Sequence, residues 1–129
     1  MSDEQIPTGE ATLRTVAMPS DVNVNGDIFG GWVLSQMDIA AGIVARERGQ
    51  GRVATIAVDA MKFIRPVGVG DILAIWAKVE RVGRTSMVIH LEAWAIRQLK
   101  GMIAEKVTEA SFTFVAIDDA GTPRPVPDL

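Results

Sequence analysis

Residues 32–45 read WVLSQMDIAAGIVA, and Asp38 is the only ionisable side chain among them. A lone carboxylate on a nearly all-apolar helix costs roughly several kcal/mol of desolvation unless it is paired or used. No lysine or arginine precedes it within about two helical turns, and the next basic residue after it is Arg46. Asp38 is therefore expected to work rather than to stabilise.

Working outward, the helix is predicted from about Gly30 to Arg48, ended by Gly49 and Gly51. Before it, Leu13 to Met18 reads as a short strand, punctuated by Pro19-Ser20-Asp21, and residues 21–27 (DVNVNGD) read as a loop. After it, everything looks like β structure. Val53 to Ile64 gives one strand, stopped at Arg65-Pro66, and Gly68-Val69-Gly70-Asp71 forms a turn. Ile72 to Val82, Thr85 to Leu99 and Ile103 to Ile117 give three more, joined at Gly83-Arg84 and Gly101. Thr108, Ala110, Phe112 and Phe114 share one face of the last strand.

Short turns force antiparallel neighbours, and a helix that is hydrophobic all round must be covered all round. The pattern predicts an α+β hotdog fold, an antiparallel five- to six-stranded sheet wrapped around one central helix. A second subunit would cover what the sheet leaves open. Residues 1–11 are expected to be a flexible N-terminus, 12–118 the domain, and 119–129 a proline-rich tail without regular structure.

Composition narrows the functional classes. A length of 129 residues suits one domain, and 48% hydrophobic with 22% charged residues places it among soluble globular chains. The net charge of −3 and pI near 5.1 lack the basic face of a nucleic-acid binder. Ser35, Gln36 and Asp38 interrupt the longest apolar stretch, which falls short of the ~20 residues of a membrane span. The acidic start, MSDEQIPTGE, is expected to be neither a secretory signal nor a transit peptide. With no cysteine and a single histidine, His90, no disulfide, thiol catalyst or metal site is expected. His90 itself reads as an ordinary strand residue. A cytoplasmic enzyme or binding protein remains.

At about 100° per residue, Gly31, Ser35, Asp38 and Gly42 fall within about 60° of one another. Trp32, Leu34, Met37, Ala41 and Val44 are expected on the roughly opposite side, against the sheet. The small-residue stripe lets another backbone or a thin ligand come close, with Asp38 projecting into the channel. Partial burial would raise its pKa and make it a competent base near neutral pH. At the helix start, Gly30 and Gly31 expose N–H groups suited to an anion or a developing oxyanion. Eight residues separate Gly30 from Asp38 in sequence, or roughly 12 Å along a helix. One carbonyl cannot meet both on one chain. Two such helices running antiparallel about a two-fold axis would bring the Gly30 end of one beside Asp38 of the other.

The segments AMPSDVNVNGDIFGGWVLSQMDIAAGIVA, VDAMKFIRPVGVGD, VGRTSMVIHLEAW and ASFTFVAID closely resemble the YciA-like acyl-CoA thioesterases of the hotdog superfamily. The resemblance covers about residues 12–118. It implies hydrolysis of fatty acyl-CoA, of broad chain length, to free CoA and a carboxylic acid. Asp38 of the QMD segment would be the catalytic carboxylate, either activating water or attacking to give an anhydride. Gly30 and Gly31 would supply the oxyanion contact, and Asn23 would position the water or the carbonyl. Phe29 replaces the histidine that related thioesterases often carry before this glycine pair, so no histidine role is carried over. The resemblance also implies a cytoplasmic homodimer or trimer of dimers. No separate cofactor is expected, because coenzyme A is part of the substrate and the product. Arg65, Arg84, Thr85 and Ser86 are candidates for the CoA phosphates, and Thr55 and Met61 for lining the pocket. A hotdog protein that binds acyl-CoA without cleaving it, as sensor or carrier, is the rival reading. It needs no carboxylate at Asp38.

Overall fold

The computed structural model of the chain describes residues 5–59 and 61–128. The elements are β1 (Leu13–Val16), α1 (Gly30–Gly49), β2 (Val53–Val58), β3 (Ile72–Val82), β4 (Ser86–Arg97) and β5 (Ile103–Ala116). The strands form one five-stranded antiparallel sheet in the order β1-β3-β4-β5-β2. The sheet curls about α1 in the hotdog arrangement.

Alternation explains the long strands. Met87, Ile89, Leu91 and Ala93 of β4 are fully buried, as is Phe112 of β5, with Phe114 beside it nearly so. They meet Val33, Met37, Ala40, Ala41 and Ala45 of α1 in one core. Small alanines on the helix let it lie close against the sheet, while Met37 fills the remaining space. Trp32 and Val44 are half-buried, as the helical projection predicts, but Leu34 is exposed. The inward arc is rotated toward Val33, Ala40 and Ala45.

Several boundaries differ from the sequence reading. β1 ends at Val16 because Pro19–Asp21 forms a 3-10 turn. At its other end α1 includes Gly49 and is capped by Gln50 in the left-handed conformation, its N–H on the Arg46 carbonyl. β4 stops at Arg97 and β5 at Ala116, each shorter than expected. The largest change is in β2, which ends at Val58 rather than Ile64. A bulge falls between Thr55 and Ala57, where two residues on β2 span one step on β5. Residues 61–64 then lie beside β5 without strand assignment. Ile64 N–H reaches the Val107 carbonyl at 2.7 Å, and the Thr108 hydroxyl donates to the Lys62 carbonyl at 2.8 Å.

Both ends of the described chain lie on the domain. Trp76 Nε1 donates to the Gly9 carbonyl at 3.2 Å. In the proline-rich tail, Val126 N–H donates to the Arg84 carbonyl at 2.8 Å and Arg48 donates to the Pro127 carbonyl at 2.6 Å. Val126 is itself buried.

One buried ion pair fixes the turn between the 61–67 segment and β3. Asp71, 8% exposed, accepts from Gly68 N–H at 2.7 Å and pairs with Arg97 at the far end of β4. Arg97 Nε also donates to Glu105 of β5 at 3.0 Å. Burial works against the Arg97 charge, but hydrogen bonds to Asp71 and Glu105 outweigh it and raise the Arg97 pKa. Removing one partner strands a buried charge, at a cost of about 3 kcal/mol. Arg97→Ala should therefore lower the urea unfolding midpoint by about that much stability. An unchanged midpoint would show that the pair does not secure this turn.

Candidate active site

Asp38 lies midway along α1 on the side the sheet does not cover, and in the single chain it is exposed. This differs from the partly buried carboxylate expected from the sequence. Its partner is Thr55 of β2, whose hydroxyl donates to Asp38 Oδ1 at 2.7 Å. Register explains the meeting. Thr55 stands opposite Phe114, whose ring is buried in the core, so Thr55 also faces the helix. The bulge that follows displaces Ile56 and changes the parity of the rest of the strand.

The helix start is built differently. Phe29, in extended conformation, caps α1 without a side-chain hydrogen bond. Trp32 N–H turns back to the Phe29 carbonyl at 3.1 Å. Among the described residues, the N–H groups of Gly30 and Gly31 show no acceptor, as expected for the first turn of a helix. Gly30 is needed for packing as well: a Cβ there would stand 3.0 Å from Cε2 of Phe63. The loop before the helix is organised by Asn23. Its Oδ1 accepts from Asn25 N–H at 2.8 Å and Asp27 N–H at 3.2 Å. That leaves the side-chain amide N–H groups of Asn23 for other work.

Asn23, Gly30 and Arg65 border one cavity of about 330 Å³, between the loop, the helix start and the 61–67 segment. Asp38 and Thr55 are not part of it. The candidates therefore fall into two groups on one chain, roughly 12 Å apart along α1. Arg65 donates to the Lys106 carbonyl at 2.8 Å and faces Glu105 at 3.6 Å. Met61 is partly buried against the core. Arg84, Thr85 and Ser86 occupy the β3–β4 hairpin. Ser86 stands opposite Val115, which in turn stands opposite Ala54, so this hairpin shares a sheet end with Thr55.

The seam beside Asp38 is apolar. Leu34, Ile39 and Ile43 of α1 are exposed, as are Ile56 and Val58 of the edge strand β2. Such a patch on a helix and an unpaired strand edge marks an association surface. Larger openings of about 490 and 530 Å³ lie elsewhere, beside Trp76. His90 belongs to that outer face, with Nε2 3.0 Å from Glu109. A hydrogen bond from Lys106, aided by His90, holds the Glu109 carboxyl below the usual carboxylate range. Glu92 and Glu109 both face Lys106, so a cation already serves this cluster. Sequence reasoning missed the packing of Phe63 on Gly30 and the bulge after Thr55. Neither leaves a periodic signal.

A profile of the thioesterase superfamily matches residues 25–101. The acyl-CoA thioester hydrolase YciA of Salmonella typhimurium is 48% identical over 126 residues, covering 96% of this chain and 95% of the relative. The crystal structure of a hexameric thioesterase from Yersinia pestis superposes with a TM-score of 0.89 at 49% identity, over 96% of this chain and 100% of that one. A hexameric hotdog fold thioesterase of Campylobacter jejuni superposes with a TM-score of 0.86 at 42% identity, over 92% and 91% of the two chains.

Proposed function

The chain belongs to the thioesterase superfamily and, within it, to the YciA-like acyl-CoA thioester hydrolases, and from that premise we propose that it cleaves fatty acyl-CoA at a site shared by two subunits. The observation that carries the reading is the division of the machinery. Asp38, with Thr55 of β2 against it, sits midway along α1, while the N–H groups of Gly30 and Gly31 lie at its start. Antiparallel helices across the apolar seam would bring complementary halves together.

Gly30 and Gly31 N–H groups polarise the thioester carbonyl and stabilise the negative charge that develops on its oxygen. The partner subunit's Asp38 either takes a proton from the attacking water or attacks the carbonyl itself. In the second case a mixed anhydride forms and water then opens it. Either way the C–S bond breaks, and the products are a carboxylic acid and the thiol of coenzyme A. Thr55 acts as a positioning residue by holding one carboxylate oxygen, which leaves the other directed at the reaction. Asn23 presents its amide N–H groups to the water or the carbonyl, since its oxygen is committed to the loop. The Arg84-Thr85-Ser86 hairpin is the favoured contact for the CoA phosphates, because Arg65 is already paired. The relatives' hexamers suggest three such dimers in one particle.

Asp38→Asn preserves shape and hydrogen bonding while removing the charge. It should lower kcat for acyl-CoA at least about 100-fold, followed by thiol release, with the melting curve and oligomeric state kept. Normal turnover would refute the assignment. Thr55→Val keeps the β-branched shape but removes the donor, and should lower kcat about ten-fold with a smaller change in KM. Equal loss in both would argue for a binding role instead.

The shared site has its own test, in which Asp38→Ala chains are co-expressed with Asn23→Asp chains. Aspartate retains the oxygen that organises the loop. Each hybrid dimer then holds one intact site and one doubly defective site. Random pairing should restore about a quarter of wild-type activity. No recovery would mean that each site draws Asn23 and Asp38 from one chain.

A further inference from the structure

The proline-rich tail is ordered by its own alternation. Asp118 turns the chain after β5: its Oδ1 accepts from the N–H groups of Ala120 and Thr122, each at 2.9 Å. Beyond the turn the sequence reads Pro123-Arg124-Pro125-Val126-Pro127. Proline has no N–H, so this stretch offers backbone donors only at Arg124 and Val126. Both are used. Arg124 N–H donates to the Ala116 carbonyl at 2.9 Å, and Val126 N–H to the Arg84 carbonyl at 2.8 Å. Side chains secure the same stretch. Arg48, near the end of α1, donates to the Pro127 carbonyl at 2.6 Å, and Arg124 Nε donates to the Ile117 carbonyl at 2.9 Å. Gly51 admits the Arg124 guanidinium, since a Cβ there would stand 2.9 Å from its Nη2.

The consequence falls on the β3–β4 hairpin. The Thr85 carbonyl accepts from Ala116 N–H at 2.9 Å, so the carbonyls of Arg84 and Thr85 are both held, one by the tail and one by β5. The Arg84 side chain, by contrast, is exposed and makes no ion pair among the described residues. A guanidinium on a fixed backbone, not engaged by a carboxylate, is preorganised for an anion, because less freedom remains to be lost on binding. Resting on the thioesterase reading above, we propose that the tail is a positioning strap for coenzyme A recognition: Val126 and Arg48 act through the backbone of Arg84 to hold its guanidinium where the CoA phosphates pass. Neither residue touches the substrate.

The probe is free CoA, whose affinity calorimetry measures without turnover. Val126→Pro deletes one donor and keeps an apolar side chain, and Pro127 already favours an extended backbone at this position. It should weaken CoA binding about ten-fold. Arg48→Ala, at a half-buried position, should do the same even where the proline variant folds poorly, and Arg48→Lys, which keeps a donor, should restore most of the affinity. In an Arg84→Ala background either substitution should add no further loss. Butanoyl-pantetheine, which lacks the phosphates, should keep its wild-type kcat/KM in the strap variants, while butanoyl-CoA loses efficiency through KM. Unchanged CoA affinity, additivity with Arg84→Ala, or an equal loss toward butanoyl-pantetheine would each overturn the proposal. Wild-type thiol release from butanoyl-CoA separates the claims: its absence refutes the thioesterase reading, whereas the calorimetric series judges the strap alone.

Discussion

α1 presses Met37, Ala40, Ala41 and Ala45 into the concave face of the sheet, while its other side carries Leu34, Asp38, Ile39 and Ile43 in the open. Five strands can cover only one side of a helix. The exposure of Asp38 follows from that incomplete cover. The apolar residues around Asp38 call for a second surface, and the edge strand β2 provides more of the same surface with Ile56 and Val58. An exposed carboxylate inside an apolar seam has little use in an isolated chain. In the proposed dimer, which would cover the seam, the same group would sit in a low-dielectric channel where charge is strong and water is scarce.

Strand alternation and turn residues made the sheet legible. β3 occupies the residues predicted for it, and the faces of β4 and β5 follow their alternation. The errors fall where a local pattern continues past a change of geometry. The sequence after Val58 remains suitable for a strand, yet residues 61–64 lie beneath the helix start, after the bulge at Ile56 and before Pro66. That placement brings Phe63 onto Gly30. It also creates the cavity, so the misread strand end and the missed cavity have one cause.

Site legibility divides along the same line. Asp38 and the glycine pair stand out as candidates because each violates an expectation of its local element: a charge on an apolar helix, and flexible residues at its start. Thr55 does not, since threonine is ordinary in a strand. Only the pairing of Thr55 with Phe114 across β2 and β5 shows that it faces the helix. Arg65 shows what a sequence leaves out. Its charge suggested a phosphate contact, but the fold places it beside Glu105 and the Lys106 carbonyl. A charge read from sequence carries no information about the counter-charge that folding brings to it.

Glycine at position 30 satisfies two demands that a larger residue would set against each other. In the proposed site its N–H must remain open to a carbonyl, so the chain before it cannot continue the helix and cover that donor. Its α-carbon must also admit the Phe63 ring to 3.0 Å of where a Cβ would sit. The ring walls the cavity next to the donor and keeps that side apolar. A donor beside an apolar wall is stronger than one in water, because no solvent dipole competes for the oxygen it serves. On the proposed reading the glycine pair is therefore more than a source of backbone freedom: the missing side chain at Gly30 lets the wall stand close to its N–H.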